Sequence, residues 1–245
     1  MKKLFIAALT LSGAMGVYAQ GVVEFNNDII GSLIFHVWSP NVSNPSVEVT
    51  GNNSVAYSSP SARQGDLPAG TQTYTGTLIG GNSTSTGSAG WGNGNNYSAD
   101  LLAAPGDNAS PSSLTVLAGS LSTFRNTAGN GGWVVASGNG LSIPGTTYAG
   151  SGVVGVPSSA TLQIQAWYSG GGAFPTYASA VAAGMPAGES ATWNLDSLGG
   201  GQNAPSNLTG AQSFSLVIPV PEPSMIALGV MGGCAFLARR RMLKK

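Results

Sequence analysis

The stretch Thr161-Leu162-Gln163-Ile164-Gln165-Ala166-Trp167-Tyr168 decides the fold. Leu162, Ile164 and Ala166 alternate with Thr161, Gln163, Gln165 and Trp167, and a period of two puts one set on a buried face and the other on a wet one. Ser213 to Ile218 repeats the pattern with Phe214, Leu216 and Ile218 inward, and Tyr97 to Leu101 repeats it again. Further strand candidates are Val22 to Phe25, Ile29 to Trp38, Tyr74 to Ile79, Leu114 to Phe124 and Trp133 to Ala136, separated by clusters of Gly, Asn, Ser and Pro that supply turns. That count suits an all-β fold, one antiparallel β-sandwich or jelly-roll-like domain over residues 20–218 with long Gly/Ser/Asn-rich loops. One short helix is expected at the alanine-rich Tyr177 to Ala183, stopped by Gly184 and Pro186. The run Gly80 to Asn96 has too little apolar content to pack and reads as a long loop.

Both ends depart from this pattern. Near the C-terminus, Val220-Pro221-Glu222-Pro223-Ser224 precedes an apolar run from Met225 to Ala238, then Arg239-Arg240-Arg241 and a last pair, Lys244-Lys245. As a helix the apolar run would rise only about 21 Å against roughly 30 Å of bilayer core, so it inserts but anchors poorly. The basic residues beyond it resist translocation, which puts everything upstream on the far side of the membrane. At the other end Lys2-Lys3, the apolar Leu4 to Leu11 and the small-residue site Val17-Tyr18-Ala19 read as a secretory signal helix, cut between Ala19 and Gln20. The expected organisation is therefore a signal peptide over 1–19, a body over 20–218 and a C-terminal segment with a short hydrophobic helix over 219–245.

The C-terminal order of motif, short hydrophobic segment and basic tail resembles the PEP-CTERM sorting signal of Gram-negative bacteria. The resemblance covers about a tenth of the chain and matches the Val-Pro-Glu-Pro-Ser pattern without departure. It implies secretion, transient retention in the inner membrane, and removal of the tail by an exosortase, a membrane-embedded cysteine peptidase. The body would then be released to the envelope, the surface or the extracellular matrix. A plain tail anchor is the alternative reading of the same segment.

Charge limits the partners of the body. Seven of the nine Lys and Arg residues lie in the two terminal segments, and residues 20–218 keep Arg63 and Arg125 against eight acids, a net charge of minus six. Nucleic-acid binding needs clustered Lys and Arg and is set aside. The one cysteine, Cys234, lies outside the body, so stability must come from burial and strand pairing and not from disulfides.

Candidate chemistry is sparse. His36 is the sole histidine, so no site with two histidine ligands can be built within one chain, and its apolar setting from Leu33 to Trp38 reads as structural. No acid pair sits in a recognisable motif for glycoside hydrolysis. Asn26-Asn27-Asp28 and Gly106-Asp107-Asn108 lack the spacing of a calcium loop, and no glycine pair sits in a phosphate-loop context. No catalytic residue, metal site or cofactor is assigned. One binding constellation stands out: Trp167 on the outward face of its strand, beside Gln163 and Gln165, offers an aromatic plate next to amides of the kind that bind sugars. Trp91 would add a second surface. The alternative is that a neighbouring layer covers Trp167.

The leading expectation is an exported, non-enzymatic surface or extracellular-matrix protein, whose partners are the secretion machinery, an exosortase, the inner membrane and an exopolysaccharide. A carbohydrate-binding module comes second and an exported hydrolase third.

Overall fold

A computed structural model describes residues 20–58, 64–81, 92–127 and 131–219. Mostly β-strand with a single helix, these residues form an all-β body. Its strands in chain order are β1 (Gly21–Val23), β2 (Asp28–Ile29), β3 (Leu33–Ile34), β4 (Val37–Trp38), β5 (Tyr97–Pro105), β6 (Thr115–Val116), β7 (Ser122–Thr123), β8 (Leu141–Ile143), β9 (Ala160–Tyr168), β10 (Ala187–Glu189), β11 (Trp193–Leu195) and β12 (Phe214–Ser215). The helix α1 spans Tyr177–Ala182. Thr176 and Ser179 close a reciprocal capping box at its start, and Gly184, at φ +70°, turns the chain out of it through the left-handed region that glycine tolerates best.

The frame is the nine-residue pair β5 and β9, antiparallel over their whole length from Tyr97↔Tyr168 to Pro105↔Ala160. Alternate residues of each, Tyr97, Ala99, Leu101 and Ala103 on one and Ala160, Leu162, Ile164 and Ala166 on the other, enter the main core. Phe25, Phe35, Val37, Ile79, Phe124, Phe214 and Leu216 meet them there. The inward set expected for β9 is thus the observed one. The outward set is not wet, however: Thr161, Gln163 and Trp167 are buried as well. Two smaller clusters explain this, one of Leu102, Ala104 and Leu114, the other of Trp167, Ala180 and Ala187 under α1. The sheet is packed on both sides near its ends.

Backbone pairing continues past the named strands until it meets itself. From β9 it passes through β10 to Val217, which exchanges both hydrogen bonds with Ala187, and through β12 in parallel to β4. From β4 it passes to Thr77 and Ile79, from Gly81 to Arg125, and by β7 back to β5. This circuit leaves β5 and β9 with no open edge, the feature through which sheets add foreign strands. Gly188 makes one joint possible: a Cβ there would lie 2.7 Å from the Ser215 carbonyl oxygen.

Several expected strands are broken. Ile29 to Trp38 is divided into β2, β3 and β4 by a turn at Gly31 and by the irregular residues Phe35 and His36. Leu114 to Phe124 is interrupted by a turn at Gly119. Tyr74 to Ile79 pairs with β4 only over its last three residues, Thr77 to Ile79, and its start is held by side chains: Tyr74 donates its hydroxyl to Gly51 O, and Thr77 N donates to Ser39 Oγ. Ile218, expected inward, is 39% exposed.

Candidate functional site

Trp167 is not a sugar platform in this fold. Its side chain is fully buried, with the ring edge-on to Tyr177 at 6.5 Å and Nε1 donating to Phe174 O at 2.9 Å. The chain from Phe174 to Met185 folds back over the end of β9 and covers it. The two glutamines are also engaged. Gln163 Nε2 donates to Glu189 Oε2 at 3.1 Å and to Ser190 O at 3.0 Å, while Gln165 Nε2 donates to Glu189 Oε1 at 2.8 Å. The expected constellation of Trp167, Gln163 and Gln165 is therefore corrected to a packed indole and two amides that hold a carboxylate.

That carboxylate belongs to a row the sequence did not reveal. Asp100, Gln165 and Glu189 face one another across β5, β9 and β10. Glu48 joins from the side, its Oε1 accepting from Glu189 N at 2.7 Å. Although the residue as a whole is exposed, its carboxyl is drawn onto β10, and burial, reinforced by the Glu189 charge and opposed by the hydrogen bond, raises its pKa to about 7. Burial also raises Asp100, against a hydrogen bond from Ser120. The Tyr177 hydroxyl is pushed up by burial, then by the charges of Glu189 and Glu48 and by its hydrogen bond to Glu189. A carboxyl near neutrality beside a second acid resembles an acid–base pair. Here, though, Glu189 is occupied by Gln163, Gln165 and Tyr177, and the arrangement fastens residues 45–49 to β10.

A second polar cluster lies inside the body. Asp66 Oδ1 accepts from His36 Nδ1 at 2.7 Å, and Oδ2 accepts from Ser213 Oγ at 2.6 Å and from Asn53 N at 2.5 Å. Ser213 Oγ in turn accepts from His36 N at 2.7 Å, and Asn52 Oδ1 accepts from Ser213 N at 3.0 Å. His36, Asp66 and Ser213 are all fully buried. The residue types are those of a serine hydrolase, but the order is not: the carboxylate stands between serine and histidine, so no base is placed on the serine. His36 Nε2 is enclosed without a hydrogen-bond partner among the described residues, and the ring stacks on Trp133 at 5.3 Å and meets Trp38 edge-on at 6.2 Å. Arg125 lies over the Trp133 ring at 5.6 Å and pairs with Asp28 at 2.5 Å. Gly132, at φ +77°, lets the chain pass close to the histidine, since a Cβ there would come within 2.9 Å of His36 Cβ. The cluster ties β4, β12 and the segments around 53 and 66 into one unit.

Several of the turn residues weighed as calcium ligands have other partners. Asn27 donates to Phe35 O and Gly132 O and accepts from Val134 N, and Asn108, at φ +56°, bonds Asn194. Among the described residues no group of three or more His, Cys, Asp or Glu side chains is placed to hold a metal ion. An open pocket of about 450 Å³ lies between β11 and residues 204–209, where Asn194, Asp196, Ser197, Ser206, Asn207 and Thr209 supply amides, hydroxyls and one carboxylate.

Ala19, the sorting motif Val220, Pro221, Glu222, Pro223 and Ser224, the basic Arg239, Arg240 and Arg241, and Trp91 lie outside the described residues; Gln20 is the first one within them. Among the described residues no helix is long and apolar enough to cross a membrane. Compared with family models, curated proteins and solved structures, the chain finds no match.

Proposed function

We propose that the chain is an exported, non-enzymatic component of the cell envelope or extracellular matrix, sorted by the PEP-CTERM route and trimmed by an exosortase, with a body of sandwich or jelly-roll type. The observation that carries this reading is the uninterrupted order of Val220-Pro221-Glu222-Pro223-Ser224, a short apolar run and Arg239-Arg240-Arg241. Two features of the body are in keeping with it. The buried Ser213–Asp66–His36 cluster and the Glu48–Glu189 latch spend their polar groups on joining distant segments. The hydrogen-bond circuit leaves the two long strands β5 and β9 without an open edge, which favours persistence outside the cell. Intact-mass measurement on protein from the native host tests the sorting: the mature species should begin at Gln20 and lack Arg239 to Lys245. Replacing Pro221-Glu222-Pro223 by alanines should hold the precursor in the inner membrane. Surface-located protein that still carries the basic tail would overturn the reading.

Sugar binding is the second reading, and the pocket beside β11 favours it in place of the Trp167 face. Asn194, Ser206 and Thr209 there are bonded within the protein, which leaves the Asp196 carboxylate, the Asn207 amide and the Ser197 hydroxyl to meet saccharide hydroxyls. Asp196→Ala should weaken retention on the native exopolysaccharide and leave the melting temperature unchanged; retention equal to that of the unaltered protein would remove this reading.

A further inference from the structure

An asparagine followed by glycine carries a reaction of its own, because with no Cβ in the way the glycine nitrogen can reach the asparagine side chain. The chain has three such pairs, Asn93-Gly94, Asn130-Gly131 and Asn139-Gly140. Asn130 lies outside the described residues, and the fold treats the other two pairs in opposite ways. Asn93-Gly94 is fastened on both sides of the bond that would form. Asn93 Oδ1 accepts from Asn95 N at 3.1 Å, capping a tight turn over Gly94–Asn96. Gly94 N, the nucleophile, donates to Asn126 Oδ1, and Gly94 itself is buried against the Phe124 carbonyl.

Asn139-Gly140 has none of these restraints. β1 and β8 pair in register from Gly21↔Ile143 to Val23↔Leu141, and in unbroken register Phe25 would face Asn139. Instead Phe25 N donates to Ser137 Oγ and Ser137 N donates to Phe25 O, both at 3.3 Å. Gly138, Asn139 and Gly140 take up the excess chain as a bulge opposite Glu24. All three are exposed, and among the described residues none of them makes a hydrogen bond through side chain or backbone. Gly140 is still favoured as glycine, since a Cβ there would collide with Val22 Cγ1 and the Pro205 ring. The fold thus keeps the reactive pair and leaves it unrestrained.

We propose that Asn139 is a site of spontaneous covalent modification in the folded body, converted to aspartate and isoaspartate through attack by Gly140 N, while Asn93 is protected. The Gly140 amide gives its proton to solvent base and its nitrogen bonds to Asn139 Cγ. The side-chain nitrogen leaves as ammonia, and a cyclic imide is formed. Water then opens the imide at either carbonyl, giving aspartate or, where the chain continues through the former side chain, isoaspartate. This chemistry needs neither the sorting segment nor any reactant beyond water. Both products add a carboxylate to a body whose net charge is already minus six. Isoaspartate also lengthens the main chain by one carbon, which the bulge takes up without losing a ladder bond, so the modified body stays folded.

The test keeps the full chain in mild detergent at neutral pH, warmed below its melting temperature, beside a second sample unfolded in guanidinium chloride. Aliquots taken over weeks are digested with pepsin at acid pH, where the reaction is slow, and read by mass spectrometry with electron-transfer fragmentation to separate isoaspartate from aspartate. In guanidinium the two asparagines should convert at similar rates. In the folded chain Asn139 should stay within a few-fold of its unfolded rate, and Asn93 should slow by about tenfold or more, because two hydrogen bonds must open first. Asn126→Ala frees Gly94 N and should speed conversion at Asn93 without changing Asn139. Asn139→Ser should remove the acidic form that isoelectric focusing resolves as the folded protein ages. Equal rates at Asn93 and Asn139 in the folded chain would overturn the proposal, as would an Asn139 that stays intact when folded yet converts in guanidinium. Unchanged conversion at Asn93 in a folded Asn126→Ala protein would overturn the protection assigned to that bond. If Asn126→Ala does not fold, the ratio of folded to unfolded rates at each site in the unaltered chain decides alone.

Discussion

Replacing Trp167 by alanine discriminates sharply between a packed and a ligand-binding face. The indole is fully buried, it fills the space between β9 and α1 together with Ala180 and Ala187, and its Nε1 donates to Phe174 O. Truncating a buried Trp to Ala typically costs about 3–5 kcal/mol, and the orphaned Phe174 carbonyl places this site toward the upper end. For a body of this size each kcal/mol lowers the melting temperature by about 2–4 °C, so a fall of roughly 10–15 °C is expected. Trp167→Phe keeps a ring over the same residues and should lose only about a third of that. The assay is thermal and urea unfolding of residues 20–219, followed by near-ultraviolet circular dichroism and by far-ultraviolet signal for the sheet. A Trp167→Ala protein that melts within a degree or two of the unaltered one, while losing retention on exopolysaccharide, would refute the packing argument and restore the sugar-plate reading.

Two further predictions concern polar groups. Asp66→Asn exchanges one of the two oxygens that accept from His36, Ser213 and Asn53 for an amide donor, and leaving at least one fully buried donor unpaired should cost about 1–3 kcal/mol, read from the urea midpoint. Ser213→Ala, which leaves the carboxylate its other two donors, should cost about 1–3 kcal/mol. The pH dependence follows from Glu48 and Asp100, both of which hold their protons more tightly in the folded body than in the unfolded chain. Between the ordinary glutamate value of 4.5 and about 7 the native state binds more protons through Glu48, so its contribution to stability falls as pH rises through that window. Glu48→Gln should flatten this part of the urea-midpoint profile; an unchanged slope would show that the carboxyl titrates alike in both states.

What the sequence disclosed follows from how far each pattern runs. β9 and β5 are nine residues each, long enough for a period of two to show which side chains turn inward, and those do form the core. β10 and β11 have three residues each, too few to display a period. The orientation of Trp167 away from the main core was legible, but its cover was not, because that depends on residues 174–187 folding back after a turn at Gly170 to Gly172. His36 was read as structural from its apolar neighbours. Its partners Asp66 and Ser213 stand 30 and 147 positions from the residues they bond, where no local pattern links them. Glu48 and Glu189 were likewise only two of eight scattered acids until β10 and the segment before residue 50 came together.

The circuit of backbone hydrogen bonds also has an order in time. A chain made from its N-terminus supplies β4, β5, β9 and β10 before residues 214–217, and it is that last piece that is paired with β4 on one side and with Ala187 on the other. Until it arrives, β4 and β10 both expose unpaired edges, and the body is an open sheet. A prematurely ended chain would therefore stay unclosed and open to proteolysis. The body can be completed only once residues up to 217 have been delivered, nearly the whole of the described chain. Closure is in this way a check on length: a body that has closed is one whose chain has been made through its last strand.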